Sequence, residues 1–167
     1  MKNLKLKGTI LRKSLSLFII LSCIMFISNQ AKSAPTFTLS SFLTGAGTSE
    51  SPYLIYRPTQ MDSLSTFVNA GGATSYRDAS WAWHPYYFQM QNDLDFENNT
   101  FTPIGTSTLP FSGIFDGGGY SIKNIKITDV GVFGYVSSSQ LIPAINNLGV
   151  VGAVITGTNS DIGAIAG

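Results

Sequence analysis

Two seven-residue segments in the second half of the chain repeat one pattern of side chains. Residues 121–127 and 144–150 both read small, apolar, polar, Asn, apolar, variable, apolar, so that Ile122 aligns with Ile145. Residues 130–134 and 162–166 agree in pattern at a longer spacing. Spacings of this size are typical of β-solenoids, in which neighbouring units bury a continuous apolar column. The repeat therefore predicts a solenoid whose loops vary in length.

A strand with one buried face is predicted just before this region. Apolar residues there alternate with polar ones, at Phe88, Met90, Leu94 and Phe96. Asn92 falls on the same, inward face of that strand. Asn124 and Asn147 occupy matching places in the repeat, so we expect them to form a ladder of side-chain amides at a bend, with Asn92 as a further member.

One helix is predicted near residues 58–70. Its apolar residues recur at helical spacing, at Met61, Leu64, Phe67 and Val68. Thr59 and Asp62 fit a variant of the capping box at its start, and Gly71 follows its end. A single amphipathic helix in a chain rich in β-formers must cover apolar surface, so we expect it to cap the open end of the solenoid.

Residues 1–33 have the three parts of a secretory signal peptide. A basic stretch is followed by an apolar run over residues 15–27 and by small residues at Ala31 and Ser33. This run is too short for a membrane span, which needs roughly 20 residues. A signal anchor and lipid attachment at Cys23 are the weaker alternatives. The sequence thus predicts export to the extracellular space or cell surface, a lead-in segment at 34–44 and a domain at 45–167.

Removal of the leader changes the charge of the chain. The whole sequence has 10 basic and 9 acidic residues, and six of the basic ones lie at positions 1–33. The remainder keeps four basic and nine acidic residues, a net charge of −5. This argues against nucleic acid as a partner, because such proteins carry basic patches. Cys23 is the single cysteine, so disulfides and thiol catalysis are also excluded after processing.

The order of several motifs resembles that of secreted bacterial surface proteins with the GLUG motif, a family related to filamentous-haemagglutinin-type adhesins. The carriers lie over residues 45–55, 68–71, 93–96, 102–106, 111–122, 132–135 and 147–150. The resemblance implies an all-β fold, a right-handed parallel β-helix with one N-terminal capping α-helix. It also implies a surface-exposed stalk or adhesive module.

The chain departs from this family in two respects. The GLUG tetrapeptide occurs only as residues 131–134 and, more loosely, as residues 163–167. The sequence also stops in mid-repeat, which predicts a β-helix that is incomplete at its C-terminus, in a truncated product or fragment. The alternative is a short member whose last coil is covered by a partner. Expected partners are host or neighbouring-cell surface molecules or glycans, and further β-helix repeats or a protein that covers the C-terminal edge.

An aromatic segment is the first candidate site. Trp81, Trp83, Tyr86 and Tyr87 could form a platform for sugar rings. The alternative is a loop that folds over the hydrophobic end or flank of the domain. His84, the single histidine, is interpreted as a loop residue.

Acidic residues are the second candidate site. Asp93, Asp95 and Glu97 alternate along one strand face, and oxygen ligands of this kind could bind Ca²⁺. The segment lacks the glycine and distal acid of a dedicated calcium loop, so solvated acids on the outer face are the alternative. Asp95 and Asp116 lie in the family motifs and are expected to hold turns.

No catalytic residue is predicted. No serine lies in a nucleophile elbow, and none of the four basic residues that remain (Arg57, Arg77, Lys123, Lys126) adjoins an acidic cluster in the sequence. No cofactor is predicted, and Ca²⁺ is the one ion that the sequence suggests. The sequence predicts a non-catalytic protein of adhesion or extracellular scaffolding; the alternatives are a carbohydrate-binding or polysaccharide-cleaving protein and a non-functional remnant.

Overall fold

The computed structural model describes residues 37–137, 144–158 and 163–166. The chain divides into two units, residues 1–33 and 34–167, and all described residues belong to the second. The predicted signal peptide lies outside the described residues. In the part that is described, no helix has the length and apolar character needed to cross a membrane.

Short strands dominate the described unit. In chain order they are β1 Tyr53–Ile55, β2 Ser75–Arg77, β3 Trp83–Pro85, β4 Tyr87–Met90, β5 Leu94–Asp95, β6 Ile114–Asp116, β7 Ser121–Lys123, β8 Lys126–Thr128, β9 Ile145–Asn146, β10 Gly149–Val151 and β11 Val154–Thr156. A 3-10 turn covers Leu39–Ser41, and the helix α1 covers Pro58–Asn69.

The strands form four separate sheets. Three are parallel, with the orders β1-β4-β6-β9, β5-β7-β10 and β8-β11. The fourth is the antiparallel pair β2-β3. The predicted right-handed parallel β-helix is therefore wrong, because four small sheets of both kinds do not make one continuous solenoid. The strands are very short, and turns interrupt them before a larger sheet can form.

The residues that the repeat aligns are not the residues that lie side by side in the sheets. Ile122 lies beside Val150 rather than Ile145, and Ile127 lies beside Ile155 rather than Val150. In the second pair of segments, the predicted alignment pairs Phe133 with Ile165, whereas the structure has a parallel bridge between Phe133 and Ala166. Residue 162, at the start of that segment, lies outside the described residues. A pattern of small, apolar and Asn residues identifies strands and turns but does not fix which strands become neighbours.

The predicted asparagine ladder is also wrong. Asn124 donates its side-chain amide to Asp95 at 3.0 Å, and Asn147 donates to Asp116 at 3.0 Å. Both asparagines have a positive φ, near 50°, a conformation that asparagine tolerates better than most residues. Asn92 is exposed rather than inward, and its amide donates to the carbonyl of Tyr56 at 2.8 Å. Each asparagine therefore closes a separate turn.

Helix α1 agrees with the sequence in extent and differs in its cap. Its apolar face, Met61, Leu64, Phe67 and Val68, is buried. The N-cap is Arg57, and the Gln60 side chain accepts hydrogen bonds from the backbone N–H groups of Tyr56 (2.7 Å) and Arg57 (3.1 Å). The predicted Thr59 and Asp62 capping box is therefore wrong, because Thr59 already lies inside the first turn.

Two polar side chains of α1 attach the helix to a neighbouring segment. The Ser65 hydroxyl donates to the carbonyl of Thr102 at 2.7 Å. Asn69 donates to the carbonyl of Pro103 at 2.9 Å and accepts from the N–H of Gly105 at 2.9 Å. These bonds satisfy backbone groups of an irregular segment, as buried polar groups require.

The core is mostly aromatic and aliphatic. Its largest fully buried side chains are Phe88, Phe101, Phe111, Phe115, Phe133, Ile55, Met61, Leu64, Met90, Leu94, Ile104 and Ile122. The burial predicted for Phe88, Met90, Leu94 and Phe96 is confirmed, with each at most 3% exposed. The predicted lead-in also joins the core through Leu39 and Leu43, each 4% exposed.

The Gly-x-x-Gly segment at 131–134 has a packing role. A Cβ atom at Gly131 would lie 2.5 Å from the carbonyl oxygen of Gly163, and one at Gly134 would lie 2.6 Å from that of Gly105. Both distances are too short for any real contact, so glycine lets the backbones approach closely. Val132 and Phe133, between the glycines, are fully buried.

Candidate functional site

The antiparallel pair β2-β3 and its loop form the 75–85 hairpin, which holds the most exposed aromatic residues of the described chain. Asp78, the first loop residue, organises the turn. One carboxylate oxygen accepts hydrogen bonds from the N–H of Ser80 (2.8 Å), the Ser80 hydroxyl (2.6 Å) and the N–H of Ala82 (3.1 Å). Aspartate favours such positions because its short side chain can bond to backbone groups two residues further on.

The second carboxylate oxygen of Asp78 reaches across to strand β3. It lies 2.8 Å from Nε2 of His84. The hydrogen bonds from Ser80 and then from His84 hold the pKa of Asp78 well below its usual range. The carboxylate is thus ionised wherever the hairpin is folded at ordinary pH, and it fixes the loop from both ends.

Trp81 and Trp83 project from this loop and strand into solvent. Trp81 is 75% exposed and Trp83 is 50% exposed. The guanidinium carbon of Arg77 lies 4.4 Å from the centroid of the Trp83 ring and 5.7 Å from that of Trp81. Both distances are within the range of cation–π attraction. Arg77 therefore holds the two indoles around one positive charge.

The other face of the hairpin anchors it to the core. Tyr76 packs on His84 with ring centroids 5.2 Å apart and on Tyr86 at the same separation. Tyr86 in turn contacts Tyr53 at 5.7 Å. Register explains the two faces, because Arg77 lies opposite Trp83 and Tyr76 lies opposite His84.

The four aromatic residues predicted to form one platform therefore fall into two pairs with different exposure. Trp81 and Trp83 are exposed together, whereas Tyr86 and Tyr87 are half-buried. Tyr86 belongs to the anchoring face, and Tyr87 begins strand β4. Sequence reasoning missed Arg77 as a member of the site, because only the hairpin register brings it to Trp83. Glycan binding by these aromatics stays a prediction.

A cleft of about 260 Å³ adjoins the hairpin. Trp83 and Ser75 form part of its wall, and the rest is lined by Val68, Gly71, Gly72, Ala73, Thr74, Thr108, Leu109, Pro110, Ser112 and Ser137. Thr74, Ser112 and Ser75 are joined by hydroxyl contacts of 3.1 and 3.3 Å. The lining combines apolar surface with hydroxyl groups, and none of the described residues in it is charged.

The geometry of the hairpin does not form a nucleophilic triad. Ser80, Asp78 and His84 lie close together, but the Ser80 hydroxyl donates to Asp78 rather than to His84. In a serine nucleophile the hydroxyl bonds to the histidine, which removes its proton. Here the carboxylate lies between the two, which suits the construction of a turn.

The acidic residues predicted as a calcium site take part in other contacts. Asp93 lies 2.6 Å from Nζ of Lys123 and accepts the N–H of Ser121 at 2.8 Å. The Lys123 ammonium and then the Ser121 N–H lower the pKa of Asp93, and Asp93 in turn raises the pKa of Lys123. A basic residue is therefore adjacent to this acid in space, although the two are far apart in sequence.

Asp95 and Asp116 hold turns, as predicted. Asp95 accepts the N–H of Glu97 at 2.9 Å, and Asp116 accepts the N–H of Gly118 at 2.9 Å. The Glu97 N–H and then the Asn124 amide lower the pKa of Asp95. Within the described ranges, no three His, Cys, Asp or Glu side chains lie close enough together to hold a metal ion. Calcium binding stays a prediction.

Comparisons with known proteins give one weak similarity. The chain is 28% identical over 146 residues to Halomucin from Haloquadratum walsbyi. The aligned region covers 77% of this chain and 1% of Halomucin. The chain thus spans about one hundredth of the length of the relative it matches. No family model matches the chain, and no solved structure matches it. The similarity is compatible with export and a cell-surface role, and the predicted membership of the GLUG family stays a prediction.

Proposed function

We propose that the chain is an exported surface module that attaches to other molecules through the 75–85 hairpin. The observation that carries the proposal is the pair of exposed indoles, Trp81 and Trp83, held by one guanidinium. Tryptophan and arginine dominate the binding energy of many interfaces. The N-terminal leader pattern and the similarity to Halomucin support a place outside the cytoplasm.

The rigidity of the hairpin supports a binding role. Asp78 fixes the loop through four hydrogen bonds, and Tyr76 attaches the hairpin to Tyr86. A pre-ordered loop loses little conformational entropy when a ligand binds, so more of the contact energy appears as affinity. The positive φ of Trp81, 64°, also supports this role, because a bulky residue rarely adopts it without a constraint.

The test is attachment by the full exported chain and by a variant with both Trp81→Ala and Trp83→Ala. Attachment is measured as retention on immobilised extracellular polysaccharides and on intact cells. We expect the double variant to lose at least about tenfold in affinity, since the loss of even one anchor worth roughly 2 kcal/mol lowers affinity by more than about tenfold.

The matched control is Tyr135→Ala, which removes another exposed aromatic ring (49% exposed) outside the hairpin. This variant should attach like the parent chain. Equal attachment by the double tryptophan variant and the parent would show that the hairpin is not the binding surface.

A second candidate function is carbohydrate binding in particular. The observation that favours it is the combination, in one place, of an exposed indole face and a hydroxyl-lined cleft. Sugars present both apolar ring faces and hydroxyl groups, so a site of this composition suits them. The polysaccharide arm of the same experiment tests this candidate.

A further inference from the structure

The cleft and the hairpin form one continuous surface. Trp83 and Ser75 line the cleft, and Arg77 lies two residues from Ser75 on the same side of strand β2. The register places Arg77 directly opposite Trp83. A ligand in the cleft would therefore touch Trp83 and reach the guanidinium of Arg77.

We propose that this cleft binds one sugar ring that carries a carboxylate, with the ring against Trp83 and the carboxylate on Arg77. The proposal rests on the proposed function of the hairpin and deepens it by naming the ligand class. The ligand is a unit of a carboxylated extracellular polysaccharide. The cleft hydroxyls of Ser75 and Ser112 bind the hydroxyl groups of the ring.

The hydroxyl groups of Ser75 and Ser112 are partly exposed, unlike that of Thr74, which is 2% exposed, and they have bonding capacity to spare. Each hydroxyl offers one donor and two acceptor positions. The contacts from Thr74 to Ser112 and from Ser112 to Ser75, together with the Ser112 N–H on Thr74 at 2.9 Å, use only part of that capacity. The remaining positions can accept from and donate to the hydroxyl groups of a sugar.

Arg77 supplies the charge that selects a carboxylate. No ion pair involving Arg77 occurs among the described residues, because the acid next to it, Asp78, is bonded to Ser80, Ala82 and His84. Stacking on Trp83 leaves the N–H groups in the guanidinium plane able to donate. Those donors match a carboxylate in a bidentate geometry.

The dimensions of the cleft suit a single ring. Its volume of about 260 Å³ lies just below the roughly 300 to 1,000 Å³ of typical ligand pockets. Gly71 and Gly72 add no side chains to its lining, and Thr108, another lining residue, is exposed on a turn. One unit of a longer chain can enter while its neighbours remain in solvent.

The test uses oligogalacturonate as the carboxylated probe and its methyl ester as the neutral probe of the same ring. Binding to the full exported chain is measured by calorimetry and by tryptophan fluorescence, since both tryptophans of the chain lie on the hairpin. We expect the acid to bind about tenfold or more tightly than the ester. Equal affinities, or tighter binding of dextran sulfate, would overturn the proposal.

Three variants locate the site. Arg77→Gln should lose about tenfold in affinity for the acid with the ester unchanged, and Arg77→Lys should fall between Arg77→Gln and the parent. Thr108→Trp should block both probes by filling the cleft. The control is Arg57→Gln, which removes another exposed cation and should bind like the parent. Unchanged acid binding by Arg77→Gln, or by Thr108→Trp with its fold verified by circular dichroism, would overturn the proposal.

Failure of this proposal is distinguishable from failure of the hairpin function. If the two probes bind equally and the double tryptophan variant still loses attachment, only the carboxylate selectivity is overturned. If the double tryptophan variant attaches normally, the hairpin function is overturned whatever the probes show.

Discussion

At the scale of single residues, Asp78 determines whether the 75–85 hairpin keeps its shape. Four hydrogen bonds from Ser80, Ala82 and His84 converge on its carboxylate. Asp78→Asn removes the negative charge and replaces one of the two accepting oxygens with an NH₂ group, which cannot accept a hydrogen bond. We therefore expect faster hydrogen exchange at the amides of Ser80 and Ala82 and a changed emission of Trp81 and Trp83.

The matched control for that substitution is Asp62→Asn. Asp62 is an exposed carboxylate on helix α1, outside the hairpin. It should leave the exchange rates and the tryptophan emission as in the parent. Protection of Ser80 and Ala82 in Asp78→Asn equal to that in the parent would contradict the role of Asp78.

The lowered pKa of Asp78 also makes a prediction about pH. A carboxyl group whose pKa is lower in the folded hairpin than in the open loop stabilises the fold at pH above its usual value near 4. That contribution decreases as the pH falls below this value and disappears at the folded pKa. Ordinary carboxyl groups become protonated near pH 4, but Asp78 in the folded hairpin stays ionised there. The tryptophan emission of the parent should therefore stay constant near pH 4 and change only in stronger acid.

Residue types could be predicted from the sequence better than their partners could. Composition indicates Trp81 and Trp83, family motifs indicate Asp95 and Asp116, and the structure gives the two aspartates the predicted turns. Arg77 could not be assigned to the site, because its contact with Trp83 arises only when two strands pair in one register. The pairing of two strands that are separated in the chain leaves no pattern in the sequence of either strand.

At the scale of elements, helix α1 shows where local patterns succeed. The spacing of Met61, Leu64, Phe67 and Val68 predicts its extent, because helical periodicity is a property of neighbouring residues. Its cap depends on non-local contacts instead. Gln60 accepts from Tyr56 and Arg57 and donates to the carbonyl of Phe42 at 3.0 Å.

The cap gives a direct comparison of two neighbouring side chains. Gln60→Ala leaves backbone groups of Tyr56, Arg57 and Phe42 without their partner and should lower the free energy of unfolding by about 1 to 3 kcal/mol. Thr59→Ala, at the position that the sequence favoured, should change it by less than about 0.5 kcal/mol. Urea denaturation measures both, and a larger effect at Thr59 would contradict this assignment.

At the scale of the whole molecule, a cluster of phenylalanine rings connects two strands of the largest parallel sheet with the irregular segments that hold Phe111 and Phe133. Phe111 contacts Phe88 and Phe133, and Phe133 also contacts Phe115, with ring centroids 5.1 to 5.5 Å apart. Phe133→Ala should lower the free energy of unfolding by about 3 to 5 kcal/mol through the cavity it creates. Exposed Tyr135→Ala should have little effect, and equal losses for the two variants in urea denaturation would contradict a central role for Phe133.

The global fold could not be predicted from the sequence for a physical reason. Short strands rich in Ile, Val and Asn fit many parallel arrangements, and pairing Ile122 with Val150 instead of Ile145 alters which strands are neighbours. The hairpin β2-β3 adds an antiparallel sheet that the repeat does not contain. The alternating residues from Phe88 to Phe96 likewise predict burial correctly, but they form two strands, β4 and β5, in different sheets rather than one strand.

The central claim is that the exposed indoles of the hairpin bind a ligand, with Trp83 in direct contact, and the indole N–H signals of the protein test it most directly. The chain has two tryptophans, so a nitrogen–proton correlation spectrum shows two such signals, which Trp81→Phe assigns. On titration with oligogalacturonate, the Trp83 signal should move progressively and saturate at the calorimetric affinity. Binding that saturates while both indole signals stay in place would contradict the claim.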